Sequence, residues 1–198
     1  MINSPLVSVI CLCYNHEKFV KEAIKSVLCQ SYSNIQLIVV DDASTDGSKN
    51  VIAEMLEGTS TEFIKLHSNL GNTKAFNKGF AKAKGKYIID LAADDILIQN
   101  RVEKQVAFFE ECKQSIGVIY SDAIYIDEEG NELNTHFSNQ KLIPFVGDIY
   151  MKLISKYFIS PPTMMMKKEV LLELNGYDNN LTYEDFDFWI RSSRNWEL

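Results

Sequence analysis

Two pairs of adjacent aspartates are the residues of this sequence most able to do chemistry. Asp41-Asp42 ends the apolar run 35–40, and Asp94-Asp95 follows the apolar run 87–91. Adjacent carboxylates repel each other unless a cation or hydrogen-bond donors compensate their charge. Their hard oxygens suit Mg²⁺ or Mn²⁺, which bridge a few protein carboxylates and substrate phosphates. The two pairs therefore predict a divalent-metal site for a phosphorylated ligand, and the alternative is a pair of solvated turns.

A third acidic group, Glu184-Asp185, begins a segment in which acidic and aromatic residues alternate. The pattern predicts a helix over 184–194, in which Phe188 lies four residues beyond Glu184 and Trp189 four beyond Asp185. A carboxylate held against apolar rings can act as a general base. The alternative is a helix whose first turn is rich in acids because of the helix dipole.

The elements that must position these carboxylates alternate between β-branched runs and segments of helical period. We predict strands at 6–13, 35–40, 62–66, 87–91 and 117–121, and helices at 17–30, 44–56, 73–84 (closed by Gly85) and 100–112. This alternation implies right-handed βαβ units and a parallel, doubly wound sheet. Such sheets bind ligands at the carboxyl ends of their strands, where both aspartate pairs lie.

The second half of the chain is less regular. We predict a hairpin over about 123–133, a surface loop over 137–147, helices at 148–157 and 168–174, and a short strand at 163–166. No repeat and no interdomain linker interrupts the sequence, which favours one domain.

Composition excludes several classes of function. The chain has 198 residues, of which 46% are hydrophobic and 24% charged, so it can form a globular core. The 20 basic and 27 acidic residues give a net charge of -7, which argues against nucleic acid as a partner. An anionic ligand would need a metal ion to neutralise it.

The cysteines and the start of the sequence favour a cytoplasmic location. Cys11, Cys13, Cys29 and Cys112 form no CxxC pair, which indicates reduced thiols. No apolar run approaches the roughly 20 residues of a membrane span, and residues 1–5 have no basic region typical of a secretory signal. The sequence also lacks GxGxxG, GxxxxGK[ST], GxSxG and HExxH motifs, which argues against the corresponding enzyme classes.

Several short motifs occur in one order along nearly the whole chain. They are Val7–Ile10 with Tyr14-Asn15, the run 23–32, Val40–Ser48, Asn69–Gly71 with Asn77–Gly79, Ala93–Asp95, and Glu184-Asp185. This ordered set resembles family 2 glycosyltransferases, which are inverting nucleotide-sugar enzymes with the GT-A fold. The resemblance implies an α/β fold with a doubly wound, mixed but mostly parallel sheet flanked by helices and a Rossmann-like N-terminal half. It also implies one catalytic domain over 1–198, with about 1–122 binding the nucleotide sugar and about 123–198 supplying the acceptor side and catalytic base.

The resemblance assigns roles to particular residues of this sequence. Tyr14 would lie on the nucleobase, Asp42 would accept a hydrogen bond from the base, and Asp94 would face the ribose or the metal. Asp95 would coordinate Mg²⁺ or Mn²⁺, and Asp185 would be the catalytic base. The full donor-binding set is Leu12, Tyr14, Asp42, Lys74 and Asp94.

The sequence also departs from the family pattern. Many members have an arginine just before the asparagine of the third block, where this chain has Phe76, so Lys74 is the nearest cation. The QxxRW motif of processive synthases is missing, which favours transfer of a single sugar. The sequence ends soon after Glu184-Asp185, whereas relatives usually continue, so we expect a C-terminally truncated domain.

The expected function is transfer of a sugar from a nucleotide diphosphate donor, UDP-linked by resemblance, to a hydroxyl of a saccharide or lipid-linked saccharide. Residues 137–162 would shape the acceptor pocket. The family suggests cell-envelope polysaccharide or glycoconjugate synthesis, in the cytoplasm or peripherally at the inner face of the membrane. The main alternative is a degenerate or truncated nucleotide-sugar-binding domain without turnover. A nucleotidyltransferase is disfavoured because 13–17 is not a glycine-rich basic loop, and a receiver domain because its aspartate pair follows the first strand.

Overall fold

The computed structural model describes residues 4–141, 143–182 and 184–198. Its strands are β1 (Val7–Cys13), β2 (Ile35–Asp41), β3 (Glu62–Lys65), β4 (Tyr87–Ala92), β5 (Val118–Ile119), β6 (Ile124–Ile126), β7 (Glu132–Thr135) and β8 (Met165–Lys167). Six of them form one sheet in the order β3-β2-β1-β4-β8-β5, and β6 pairs with β7 as an antiparallel hairpin. The first four strands of that order are mutually parallel, and β8 is antiparallel to both of its neighbours. The predicted mixed, mostly parallel sheet is confirmed.

Helices cover both faces of the sheet. They are α1 (Val20–Leu28), α2 (Ser48–Leu56), α3 (Asn72–Phe80), α4 (Arg101–Glu111), α5 (His136–Gln140), α6 (Tyr150–Ser155), α7 (Lys168–Glu173) and α8 (Glu184–Ser192). Buried side chains of α1, α2 and α4 belong to one core cluster, and those of α3, α6, α7 and α8 belong to a second. Because β1 lies between the two clusters, all seven of its residues are buried, which explains its continuous apolar run.

Several predicted boundaries differ from the structure by a few residues, and two of these differences have a clear physical cause. The third helix ends at Phe80 rather than Lys84, because tight turns follow, in which the amide of Lys82 bonds to Gly79 and that of Ala83 to Phe80. Gly85 does not cap this helix, and its backbone instead lies against Ser8, where no side chain would fit. The predicted loop 137–147 begins with part of α5, which Thr135 caps by accepting a bond from the Ser138 amide at 3.3 Å.

The thiols and the helices give two further observations. All four cysteines are free, and Cys11 and Cys13 are buried as predicted. Within the ranges described above, no helix combines the length and the apolar character needed to cross a bilayer.

Candidate functional site

The carboxyl ends of β1, β2 and β4 meet at one edge of the sheet. Leu12 is in register with Val40 on one side and with Ala92 on the other. The chain leaving β2 stays close to β1, since the Asp42 amide donates to the Cys13 carbonyl at 2.8 Å. Likewise, the Ala93 amide donates to the Leu12 carbonyl at 2.9 Å. Both aspartate pairs therefore leave neighbouring strands at the same edge.

Asp41 shapes the loop after β2. Its side chain is fully buried, and Oδ1 accepts a 3.0 Å hydrogen bond from the Ser44 amide and lies 3.8 Å from Lys49 Nζ. The intervening Ala43 has φ +64°, a left-handed conformation that a non-glycine residue adopts only when its surroundings impose it. Asp41 thus fixes the loop rather than facing the cleft.

Asp42 connects β2 to the start of α3. It is 5% exposed, and its two carboxylate oxygens accept the backbone amides of Leu70 at 2.7 Å and Gly71 at 2.9 Å. Carboxylate oxygens have further lone pairs after two such bonds. The residue therefore orders the turn before α3 and retains the capacity to accept one more hydrogen bond.

The other expected donor residues differ in exposure. Leu12 is 8% exposed within the second core cluster, whereas Tyr14 just after β1 is 43% exposed. Lys74 is exposed in the first turn of α3. Phe76, which stands where many relatives have arginine, is fully buried and stacks on Tyr177 with ring centroids 4.2 Å apart. That position therefore belongs to the core in this chain.

The Asp94-Asp95 pair lies near one histidine, His16, and one arginine, Arg101. Asp94 is half exposed, with Oδ1 3.7 Å from Nδ1 of His16, a residue from the loop after β1. Burial, and after it the charge of Asp94, raises the pKa of Asp95 to about 6, although Arg101 and His16 oppose the rise. Arg101 itself is held by hydrogen bonds to Gln105 at 3.1 Å and to the Met164 carbonyl at 2.8 Å. The pair is thus short of positive charge.

These residues fit a divalent ion that is shared with a ligand. Among the residues that the structure describes, no group of three or more His, Cys, Asp or Glu side chains could hold a metal alone. Mg²⁺ and Mn²⁺ are commonly held by one or two carboxylates together with substrate phosphates and water. Asp95, with Asp94 beside it, offers that number of carboxylate ligands.

The helix α8 places the third acidic group against α3. Glu184 is 9% exposed and accepts a hydrogen bond from the side-chain amide of Asn72, the first residue of α3. Burial raises the pKa of Glu184, and the bond from Asn72 opposes this rise. Asp185 is partly buried, and its Oδ2 accepts a 2.7 Å hydrogen bond from the hydroxyl of Tyr157. Sequence reasoning did not identify Asn72 or Tyr157.

Asp90 is a further carboxyl that sequence reasoning missed. It lies inside β4, and burial, followed by the charge of Glu184, raises its pKa to about 8. Asp95 and Asp185 raise this pKa further, while the Tyr177 hydroxyl lowers it. The expected metal ligand and the expected base therefore both act on one partly buried group. A single charge inside an otherwise apolar strand was the available sequence signal.

A second contact ties the two halves of the site together. Asn77 on α3 donates its side-chain amide to the Tyr177 carbonyl at 2.8 Å and to Asn179 Oδ1 at 2.9 Å. The side-chain oxygen of Asn77, Oδ1, accepts a hydrogen bond from the Tyr177 backbone amide at 3.1 Å. The segment 177–179 leads into α8, so α3 holds the approach to Asp185.

A cleft of about 420 Å³ opens beside Asp95. Its walls include the exposed apolar side chains of Ile96, Ile98, Ile124 and Ile126. Among the described residues of 137–162, the segment expected to shape an acceptor pocket, only Pro162 lines this cleft. Tyr157 of that segment instead contacts Asp185.

Known proteins match this chain over most of its length. An uncharacterised glycosyltransferase of Methanocaldococcus jannaschii is 35% identical over 202 residues, which cover 98% of this chain and 67% of the relative. EpsE of Bacillus subtilis, which is named as a glycosyltransferase, is 34% identical over 96% of this chain and 68% of its own length. The chain spans 60% of a third relative, from Rickettsia prowazekii.

Solved structures show the same fold. Staphylococcus aureus TarS 1–349 in complex with UDP has a TM-score of 0.74 and 21% identity over 96% of this chain and 55% of that protein. The mannosyltransferase PcManGT of Pyrobaculum calidifontis, in complex with GDP-Man and Mn²⁺, has a TM-score of 0.76 and 18% identity over 98% of this chain and 54% of its own. The family model named Glycosyl transferase family 2 matches residues 8–174. The chain belongs to glycosyl transferase family 2 and has the GT-A fold.

Proposed function

We propose that the chain transfers a sugar from a nucleotide diphosphate donor to an acceptor hydroxyl, with inversion at the anomeric carbon. The observation that supports this most is a connected series of contacts between the two halves of the site. Asp42 holds the amides of Leu70 and Gly71, the next residue Asn72 bonds to Glu184, and Asp185 follows directly. The expected donor-binding loop and the expected base are thereby fixed to each other.

The donor would lie across the carboxyl ends of β1, β2 and β4. The exposed ring of Tyr14 offers its face to a nucleobase, and Asp42 has lone pairs for the N–H of that base. Leu12 supplies an apolar floor, and Asp94 is exposed enough to meet the ribose. Lys74 lies on the surface of α3, so its contribution to phosphate binding is a modest one. We propose a UDP-linked donor, because the motif Val40–Ser48 resembles the loop with which the family reads uridine.

Asp95 would hold Mg²⁺ or Mn²⁺, with Asp94 adjacent. The ion, when bound, neutralises the diphosphate leaving group, which an acidic chain cannot do alone. One solved neighbour of this fold contains Mn²⁺ with GDP-Man.

Asp185 would act as the general base. The acceptor oxygen forms a bond to the anomeric carbon as the bond from that carbon to the diphosphate oxygen breaks. The hydroxyl proton passes to the Asp185 carboxylate, and the nucleoside diphosphate leaves with the bonding electron pair. A positioned base contributes about 10²–10⁴-fold to such a step. The acceptor we propose is a saccharide or lipid-linked saccharide, in envelope polysaccharide or glycoconjugate synthesis.

Release of nucleoside diphosphate from a panel of UDP- and GDP-sugars, with Mn²⁺ or with EDTA, tests this function. We expect one donor to be turned over in Mn²⁺, with simple saccharides or water as acceptor. The product's anomeric configuration, measured by NMR, should be opposite to that of the donor. Asp185→Asn should bind the donor normally and lose turnover by about 10²–10⁴-fold.

The matched control is Glu54→Gln, which removes an exposed carboxylate from α2 on the other face of the sheet. It should behave as the wild type. Donor binding without turnover in the wild type would contradict transferase activity and support a nucleotide-sugar-binding domain. Retained configuration would exclude the single displacement.

A further inference from the structure

Tyr157 makes a direct hydrogen bond to the expected base. Its hydroxyl donates to Asp185 Oδ2 at 2.7 Å, and its ring is 47% exposed. The ring packs against Trp189, with centroids 5.0 Å apart, and against Phe186 at 6.2 Å. Trp189 is fully buried and its indole N–H donates to the sulfur of Met164, so the ring of Tyr157 rests on a fixed surface.

We propose that Tyr157 is a positioning residue for Asp185, and that it orients the carboxylate toward the acceptor hydroxyl. This inference rests on the proposed function. The second oxygen of Asp185, Oδ1, accepts the Phe186 amide at 2.7 Å. With one donor on each oxygen, rotation of the carboxylate is restricted, and each oxygen still has a lone pair for the acceptor proton.

The proton of Tyr157 stays on the tyrosine throughout. Burial, and then its hydrogen bond to Asp185, raises the pKa of the Tyr157 hydroxyl above its ordinary value. Glu184 and Tyr125 act on it in the same direction. The hydroxyl is therefore a permanent donor, and the acceptor hydroxyl is the group that loses a proton to Asp185.

The alternative is that Tyr157 only fills space against α8. Tyr157→Phe separates the two, because it keeps the ring on Trp189 and removes only the oxygen. The matched control is Tyr32→Phe, which also removes one bonded hydroxyl, donated to the Pro5 carbonyl at 2.5 Å near the amino end of β1. That end of the sheet is opposite to the site.

The test is a double-mutant cycle on the rate of nucleoside diphosphate release in Mn²⁺. We expect Tyr157→Phe to lower kcat about tenfold and to leave the donor KM and UDP affinity unchanged. In an Asp185→Asn background, the same substitution should have no further effect on the residual rate, since the tyrosine acts through the carboxylate. Tyr32→Phe should leave the rate of nucleoside diphosphate release unchanged in both the wild-type and the Asp185→Asn backgrounds.

An equal effect of Tyr157→Phe in both backgrounds, or a kcat at or above wild type, would overturn the inference. In the second case the tyrosine obstructs the base rather than positioning it. These outcomes leave the proposed function intact provided that Asp185→Asn loses turnover. If the Asp185→Asn variant turns over normally, the base assignment itself has failed, and the inference about Tyr157 fails with it.

Discussion

Neighbouring carboxylates set the chemistry of the site at the scale of single residues. Asp90, Glu184 and Asp95 all have pKa values raised first by burial. Each also lies close enough to another carboxyl for repulsion to raise its pKa further. The site therefore concentrates negative charge that folding alone would disfavour, which is the usual consequence of assembling groups for function rather than for stability.

The substitution Asp90→Asn tests how much this concentration of charge destabilises the fold, because its effect on stability should depend on pH. An aspartate normally titrates near 3.8, but Asp90 in the folded chain titrates at about 8. Between these values the folded chain holds a proton that the unfolded chain has lost, so the free energy of unfolding falls as pH rises. The Tm advantage of the variant over the wild type should be small at pH 5 and should grow as the pH rises toward 8. At pH 9 the advantage should be largest, at roughly 2–4 °C for each kcal/mol of burial and repulsion cost that the substitution removes.

Thermal unfolding at pH 5, 7 and 9 measures this difference. Glu54→Gln, an exposed carboxylate on α2, should show the same Tm difference from wild type at every pH. A constant Tm difference for Asp90→Asn as well would mean that Asp90 is not the titrating group.

Residue types drew attention to three acidic pairs, because carboxylates followed apolar strands or began an aromatic segment. The choice of Asp42, Asp95 and Asp185 within these pairs came from the family resemblance and stays a prediction. Asp90 and Tyr157 did not stand out, because what matters about them is which group they face. A hydrogen bond such as the one from Tyr157 to Asp185 joins residues 28 positions apart, and no local pattern encodes it.

At the scale of elements, α3 joins the expected donor-binding half to the helix that carries the expected base. Its first residue, Asn72, bonds to Glu184, and Asn77 near its end makes three hydrogen bonds to the segment before α8. Its other face packs against β1 and β2 through Gly79. The motif containing Asn77 and Gly79 therefore has a structural explanation in this chain.

Asn77→Ala should weaken this junction. The three lost hydrogen bonds, one of them from the Tyr177 amide, should lower the free energy of unfolding by about 1–3 kcal/mol in urea titrations. Asn34→Ala is the control, because the Asn34 amide donates a single bond, to the Ser4 carbonyl at 2.6 Å, in an exposed position. Equal losses of unfolding free energy in the two variants would show that Asn77 does not hold α3 to the segment before α8.

Gly79→Ala should displace α3 from the sheet. A Cβ at this position would lie 2.5 Å from Ile10 Cγ2 and 3.1 Å from Val40 Cγ2, and both of these side chains are fully buried. Overpacking of this kind costs about 1–3 kcal/mol, which outweighs the roughly 1 kcal/mol that alanine gains over glycine in a helix. Differential scanning calorimetry should show a lower Tm, while Lys78→Ala on the exposed side should not. An unchanged or higher Tm for Gly79→Ala would contradict the packing described.

Local signals predicted the elements of the first half better than their ends. Apolar runs and helical periods located the four parallel strands and the helices between them, since each is a regular pattern buried on a known face. The end of α3 was misplaced because Gly85 looks like a cap in sequence, whereas its real constraint is close packing on Ser8. The pairing of β8 joins it to residues of β4 about 80 positions away and to residues of β5 about 48 positions away, and no period reveals it.

At the scale of the whole molecule, a net charge of -7 surrounds a site that would bind a diphosphate. The acidic protein and the negatively charged diphosphate repel each other, so binding of the diphosphate should depend on a divalent ion held by Asp95. The order of the sheet makes this arrangement possible, because β2, β1 and β4 are adjacent and all end at the same edge. The shared edge followed from the βαβ alternation, whereas the strand order and the approach of α8 to this edge did not.

Calorimetric titration of UDP into the wild type and into Asp95→Asn, each with Mn²⁺ and with EDTA, tests the central claim most directly. We predict that Mn²⁺ raises the UDP affinity of the wild type at least tenfold, equivalent to about 1.4 kcal/mol, and that Asp95→Asn loses this increase while keeping the weak metal-free affinity. Glu54→Gln should retain it. UDP binding that is equally tight with and without Mn²⁺, or an undiminished Mn²⁺ effect in Asp95→Asn, would contradict the account.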